Sequence, residues 1–451
     1  MVYGFQQTAI TPALPVIQEQ LDASRAWTAW LFSGYLIVAS VTPVFLGKLA
    51  DRTGKRRVYL GSLTVFLVGS LGAALAPSIG LLVTCRVVQG VGGTVFPLSF
   101  SIARDELPPA RLASGIGLLT GGFGFGSVGG FAIGGLIAQT LSWRWIFGVG
   151  AVALVFAVVL VFVAVPPSPI RTRRSLDTPG AALLGGAMTA LIVAITEGPT
   201  RGWGSWLVAG FFALSATLAV AWVARELHTP EPLIDLRVLG ARTVLLTNIT
   251  SWLNGYSLFA INFLLPFLLV SSPAVTSDAT RLVGLSAGPL LTGLVLLPRA
   301  FGQAFGGPVT GPLTRWIGQA PTFAAGMALM AAGAGGLALW RAELWHILVE
   351  LAALGVGFGL SVSVSGAIVT RAVARGETGI ATAITSVLRR LGGGVGAQVG
   401  AALITAITLS AGSGSGAPAP RAFTVAFLTS AGAALIGTVC AMFVRPTRRT
   451  R

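Results

Sequence analysis

Residues 58–76 form a run of nineteen side chains without a formal charge. A run of that length can cross the hydrocarbon core of a bilayer as one helix. Lipid leaves little choice, because backbone polar groups there must be satisfied within helices or closed barrels. Comparable runs recur along the chain between short polar turns. They read as spans near 1–17, 27–47, 58–76, 80–103, 112–140, 144–165, 178–196, 204–224, 243–270, 284–310, 321–340, 345–372, 378–408 and 421–444. Charged residues make up 10% of the 451 positions, where a soluble domain would carry about 25%. The expectation is an all-α polytopic membrane protein of about fourteen spans.

A formal charge of +16 would suit a nucleic-acid binder if it were gathered on a folded polar surface. Instead most Lys and Arg fall in alternate loops and in the C-terminal tail, which is the signature of membrane topology. No nucleic-acid partner is expected, and the bilayer is. Residues 47–57 carry Lys48, Arg52, Lys55, Arg56 and Arg57 with a single carboxylate, Asp51. That turn is read as cytoplasmic, and the span count then puts both termini in the cytoplasm. Cys85 and Cys440 lie in apolar runs and His228 and His346 are the only histidines, so no disulfide framework, metal site or cofactor is expected. No extramembrane stretch is long enough to fold alone, and no nucleophile–base pairing stands out, which argues against an enzyme. The 28 Arg against 2 Lys point to a bacterial source and hence to its plasma membrane.

The cationic turn recurs. Gly47-x-Leu49-x-Asp51-x-x-Gly54 is matched by Gly311-x-Leu313-x-Arg315-x-x-Gly318, at an offset of 264 residues. Weak internal symmetry of this kind is common in transporters. Residues 47–57 resemble the signature loop between helices 2 and 3 of the major facilitator superfamily. Arg86-Val87-Val88-Gln89-Gly90-Val91-Gly92 looks like its helix-4 motif. Gly117, Gly126, Gly130, Gly134 and Gly135 match its helix-5 antiporter motif, with Phe131 where a proline is usual. Ser142-Trp143-Arg144-Trp145 and the two extra spans are similar to the fourteen-spanner drug:proton antiporter (multidrug efflux) family. The resemblance implies a 6+2+6 arrangement: an N-terminal half over 1–165, a linker with two extra spans over 166–227, and a C-terminal half over 228–451. It also implies a monomer exporting small amphipathic drugs or secondary metabolites in exchange for protons, and so a role in antibiotic resistance. An uncoupled facilitator or lipid flippase of the same fold, or a non-transporting sensor, are the alternatives.

The residues divide by role. Gly47, Asp51, Arg52, Gly54 and Arg56 correspond to the family's cytoplasmic gate; a solvated basic turn that only sets topology is the plainer reading. Arg86 corresponds to a proton-coupling residue, or else snorkels to the outer interface. The Gly126/Gly130/Gly134 stripe would let another helix approach closely, and Gly302 and Gly306 of span 10 form a matching pair. Where the family usually has an acidic residue in span 1, this chain has Gln6 and Gln7, which cannot exchange a proton near neutral pH. The carboxylate left within a span is Glu350, one turn after His346, either a proton site or a hydrated pair. Arg299, Arg389 and Arg390 complete the intramembrane cations, Arg299 and Arg390 being candidates for a substrate cavity with Gln6 and Gln7. Span 1 reaches only about 25 Å, so a start upstream of Met1 is expected.

Overall fold

The computed structural model describes residues 1–106, 108–166, 177–229, 242–270, 287–341, 343–372, 378–410 and 420–444, and among these there is no strand. The helices are α1 Val2–Thr8, α2 Leu14–Gln20, α3 Arg25–Thr53, α4 Lys55–Ala74, α5 Ile79–Gln89, α6 Val95–Glu106, α7 Pro109–Thr140 and α8 Arg144–Ala164. They continue as α9 Thr178–Arg201, α10 Trp206–His228, α11 Arg242–Val270, α12 Pro289–Val295, α13 Leu297–Ile317, α14 Gln319–Leu339, α15 Leu344–Ala372, α16 Thr378–Ser410 and α17 Pro420–Met442. Among the described residues, eleven helical stretches are long and apolar enough to cross a membrane. The α1–α2 pair, the α12–α13 pair and α16 are helical where the sequence places spans 1, 10 and 13.

Three spans are broken, each for a local reason. Span 1 is interrupted by a 3-10 turn at Thr11–Ala13, with Pro12 inside it and Pro15 at the start of α2. Proline removes a backbone donor and crowds the preceding turn. The fourth span tightens into a 3-10 turn at Gly90–Thr94. There a Cβ on Gly90 would fall 2.8 Å from the Tyr35 carbonyl oxygen and one on Gly93 would fall 2.8 Å from Ala39 Cα. The glycines therefore let the fourth span lie directly on the α3 backbone. The tenth span breaks at Leu296, just before Pro298.

The internal repeat shows in the backbone. Gly54, between α3 and α4, has φ +107°, and Gly318, between α13 and α14, has φ +91°. Both hairpins turn through a conformation that side chains with a Cβ rarely adopt, at the offset seen in the sequence.

In the first half α1 lies on α7, and α4 packs on α5 and α8. In the second, α11 packs on α16, α13 and α14 on α15, and α14 on α17. The halves meet along two main seams, α3 with α16 and α7 with α12 and α13, and span 1 also touches α11 and α12. The α9–α10 hairpin covers the first seam: Leu184 of α9 joins Ile384, Val387 and Leu391 of α16 in a cluster that takes in Val41 and Phe45 of α3. Asp177 caps α9, accepting from the Gly180 N–H at 3.0 Å and from Arg225 Nε of α10 at 2.7 Å. Along the second seam Phe125 and Ile133 of α7 and Phe301 and Phe305 of α13 are exposed.

Candidate functional site

Polar side chains are rare in these spans, so where they gather is informative. Arg86 is wholly buried in the first half rather than extended to an interface. Its Nε donates to the Leu31 carbonyl at 3.1 Å, its Nη1 donates to Gln89 Oε1 at 2.8 Å, and its guanidinium lies 4.5 Å from the centre of the Tyr35 ring. Gln89 Nε2 in turn donates to Ser70 Oγ at 2.9 Å and to Gln6 Oε1 at 3.1 Å. One chain of hydrogen bonds thus joins span 1, α4 and α5 around an arginine that has no carboxylate partner among the described ion pairs. A buried charge without a counter-ion is costly. The ring face, the carbonyl and the amide oxygen are what offset that cost here.

Gln6 belongs to this network and Gln7, half-buried, does not. The Gln6 amide nitrogen has no hydrogen-bond partner and is pressed against Gly150 of α8, where a Cβ would fall 2.6 Å from Gln6 Cδ. Ser70 and Tyr35 were missed by sequence reading. Gln89, quoted only as part of a motif, could have been found as a second polar residue one turn from Arg86 on an otherwise apolar helix.

The glycine stripe has a different partner from the expected one. A Cβ on Gly126 would fall 2.9 Å from Met1 Cα, one on Gly130 would fall 2.7 Å from the Phe5 carbonyl, and one on Gly134 would fall 2.6 Å from Ala9 Cα. The stripe therefore seats span 1. Gly302 and Gly306 pack instead on α15, where a Cβ on each would fall 2.6 Å from the Ala352 and Val356 carbonyls. Spacing showed that a helix must come close, but not which helix. Contact with the second half is made one residue along: a Cβ on Gly135 would fall 3.1 Å from Leu290 Cα, and Gln139 Oε1 accepts from the Leu290 N–H at 3.1 Å. Gly117 lies in the same helix, α7, nearer its start.

Across the seams sit the other cations. Arg299 is 3% exposed and stacks over the ring of Phe131, itself fully buried, at 4.8 Å. Arg390 donates to the Ala39 carbonyl of α3, while Arg389 turns back to Ser386 at 3.3 Å. Farther along α16, Gln398 donates to Ser33 of α3 at 2.9 Å and accepts from Thr196 of α9 at 3.2 Å. The hairpin thereby shares in the contact between halves.

Glu350 does not join these groups. It lies on the α14 side of α15, with Oε1 2.5 Å from where a Cβ on Gly336 would be, and Arg341 is its electrostatic neighbour. His346 shares that helix and stacks on Trp345 at 3.9 Å. At the cationic turn, Lys55 pairs with Asp105 of α6 at 2.5 Å, and Arg56 donates to the Phe162 carbonyl of α8 while lying over the same residue's ring. Arg52 is exposed. The Asp51 side chain lies outside the described part of the structure, and Gly47 has open space around it. The tail of the turn thus ties α4 to α6 and α8 of its own half. No group of three or more metal-ligating side chains occurs among the described residues.

Residues 1–271 match the profile of the Major Facilitator Superfamily, and residues 285–449 match that of MFS/sugar transport proteins. The chain is 30% identical over 425 residues to the tetracenomycin C resistance and export protein of Streptomyces glaucescens, covering 90% of this chain and 74% of that one. It is 30% identical over 414 residues to a multidrug resistance protein B homolog of Mycobacterium tuberculosis, covering 88% and 73%. Among solved structures, an auto-inhibited POT family peptide transporter superposes with a TM-score of 0.69 at 15% identity, covering 100% of this chain and 97% of that one. The nucleoside transporter NupG does so with 0.65 at 13%, covering 98% of each. These two share the fold; the first two share the sequence as well. The chain is a member of the Major Facilitator Superfamily.

Proposed function

We propose that the protein exports small amphipathic molecules, drugs or secondary metabolites, across a bacterial plasma membrane by alternating access between its two halves. The carrying observation is the 30% identity to a tetracenomycin C resistance and export protein over 90% of the chain, which takes in both halves and the hairpin. In this reading residues 47–57 and both termini are cytoplasmic, protons are the exchanged ion, and the monomer is the working unit. Residues 1–165 and 228–451 rock against each other, with 166–227 as the inserted segment. The turn at 47–57 acts as part of the cytoplasmic gate.

The charge of the interior favours neutral or anionic substrates. Arg86 and Arg299 are buried on aromatic rings rather than beside carboxylates. A lipophilic cation would meet uncompensated positive charge, and burying it without a counter-ion is costly. Each proton entering down the membrane potential supplies about 2.3 kcal/mol per 100 mV. Glu350 is the group proposed to carry it.

A second reading, an uncoupled facilitator or lipid flippase, is favoured by one observation: position 6 is a glutamine held by Ser70 and Gln89. Transport into inverted vesicles, with and without an imposed pH gradient, separates the two. Accumulation that follows the gradient supports exchange. Equilibration indifferent to the gradient supports the facilitator.

A further inference from the structure

We propose that Arg299 and Phe131 form a latch that holds the α7–α13 seam shut on the side remote from Gly54. A negatively charged group on the substrate releases this latch by taking the guanidinium. The proposal rests on the export reading above for its substrate, but not for its geometry.

The latch joins the two halves directly. Phe131, in α7, is gripped twice: its ring carries the Arg299 guanidinium at 4.8 Å, and a Cβ on Gly293 of α12 would fall 3.0 Å from its carbonyl carbon. Arg299 stands three residues beyond the break at Leu296, and its guanidinium lies over the Phe131 ring of α7. Its own backbone is fixed to the second half, since a Cβ on Gly355 of α15 would fall 2.9 Å from Arg299 Cα. The cation therefore moves with one half and the ring with the other. When the seam parts, the pair must part too.

Arg299 Nε has no hydrogen-bond partner, and none of the described ion pairs includes this residue. Its charge is stabilised by the quadrupole of one ring. A carboxylate or phenolate offers charge-assisted, two-pronged hydrogen bonding, which is stronger than a ring face and suits guanidinium geometry. An anionic group reaching Arg299 as the seam breathes would outcompete Phe131 and loosen the seam. A neutral amphipathic molecule would leave the latch to thermal opening, and a cation would be repelled. The pair thus links what is bound to which side opens.

The test reads seam opening without needing transport. In a background with Cys85→Ala and Cys440→Ala, a reporter thiol is placed by Thr292→Cys, a wholly buried position of α12. Intact cells are treated with a membrane-impermeant maleimide. Phe131→Leu and Arg299→Met should each raise the labelling rate roughly tenfold, the size expected from losing one desolvated cation–π contact. The double variant should show no further rise, and Phe131→Tyr, which keeps a ring, should label like the parent. Carboxyfluorescein, an amphipathic anion loaded as its ester, should raise labelling in the parent and not in Arg299→Met. Ethidium, an amphipathic cation, should raise it in neither. Additive effects of the two single variants, or unchanged labelling in variants that elute as the parent does on size exclusion, would overturn the latch. Equal responses to both dyes, or none to carboxyfluorescein, would overturn its release by anions. If the leucine and methionine variants do not fold, Phe131→Tyr and Arg299→Lys decide: each retains ring and cation, and raised labelling in either refutes the pair. Export of a substrate with no coupled labelling change would defeat the latch and leave the export reading standing.

Discussion

Gln89→Leu is the substitution whose cost the structure defines best. Leucine fills a similar volume, so the loss is in hydrogen bonds. Three bonds go: the one accepted from Arg86 at 2.8 Å, and those donated to Ser70 at 2.9 Å and Gln6 at 3.1 Å. Neutral side-chain hydrogen bonds between membrane helices average about 0.6 kcal/mol, so the two amide donations together contribute about 1 kcal/mol. The Arg86 bond is charge-assisted and worth about 1.5–3 kcal/mol, and its loss leaves Nη1 and Nη2 of a fully buried guanidinium both without a partner. The sum is about 3–4 kcal/mol. Ser70→Ala removes the acceptor of one Gln89 N–H and the hydroxyl that donates to Gln6 Oε1 at 3.1 Å, while Gln6 continues to hold the Gln89 amide, and should cost about 1 kcal/mol. Unfolding of purified protein in mixed micelles against rising SDS, followed by tryptophan fluorescence, gives both values. A Gln89→Leu protein within about 1 kcal/mol of the parent would refute the view that Gln89 is what makes the buried arginine tolerable.

Gly130→Leu should lower the midpoint of the same unfolding curve by an amount equivalent to about 1–3 kcal/mol or more, because the new side chain would meet backbone of Phe5 and the hydroxyl of Thr8; Gly311→Leu, at a site with open space, is the control that should leave it unchanged. Asp177→Ala should cost about 1–3 kcal/mol, from the lost cap to Gly180 and the Arg225 partner, and protease cleavage near the hairpin should rise with it. Glu350→Gln should abolish export driven by a pH gradient in vesicles yet keep downhill exchange; full gradient-driven export in that variant would remove Glu350 from the coupling path. Asp51→Asn should reduce export more than it reduces the amount of protein in the membrane, and equal losses would leave residues 47–57 as a topology signal alone.

The spans were legible because crossing a bilayer is a local demand, met by each apolar run without reference to its neighbours. Val58–Ala76 on paper and α4 in the structure differ by a few residues. The repeat was legible for a similar reason, since Gly54 and Gly318 serve their own turns. What the sequence withheld was partnership. Gly126, Gly130 and Gly134 announced a close approach, but span 1 and span 10 both offered small residues, and tertiary packing chose the first. Arg86 was legible as an interior group because lipid would not accept it. Its supports, Tyr35 and Gln89, lie on two different helices, and the Leu31 carbonyl is backbone that no side-chain pattern reports. Phe131 stood out as an oddity of its motif, yet its partner became visible only when Arg299 was found above it.

The hairpin of α9 and α10 covers one seam and leaves the other uncovered. If the halves rock as proposed, a bundle braced on one flank would swing like a door, with its jamb along α9 and its free edge along α7 and α13. Each swing would then push aside the acyl chains beside Phe125 and Phe305 while those along α9 stay put. Turnover would be answerable to the lateral pressure of the bilayer on a single side, so a stiffer membrane would act on this transporter as a heavier door acts on its hinge.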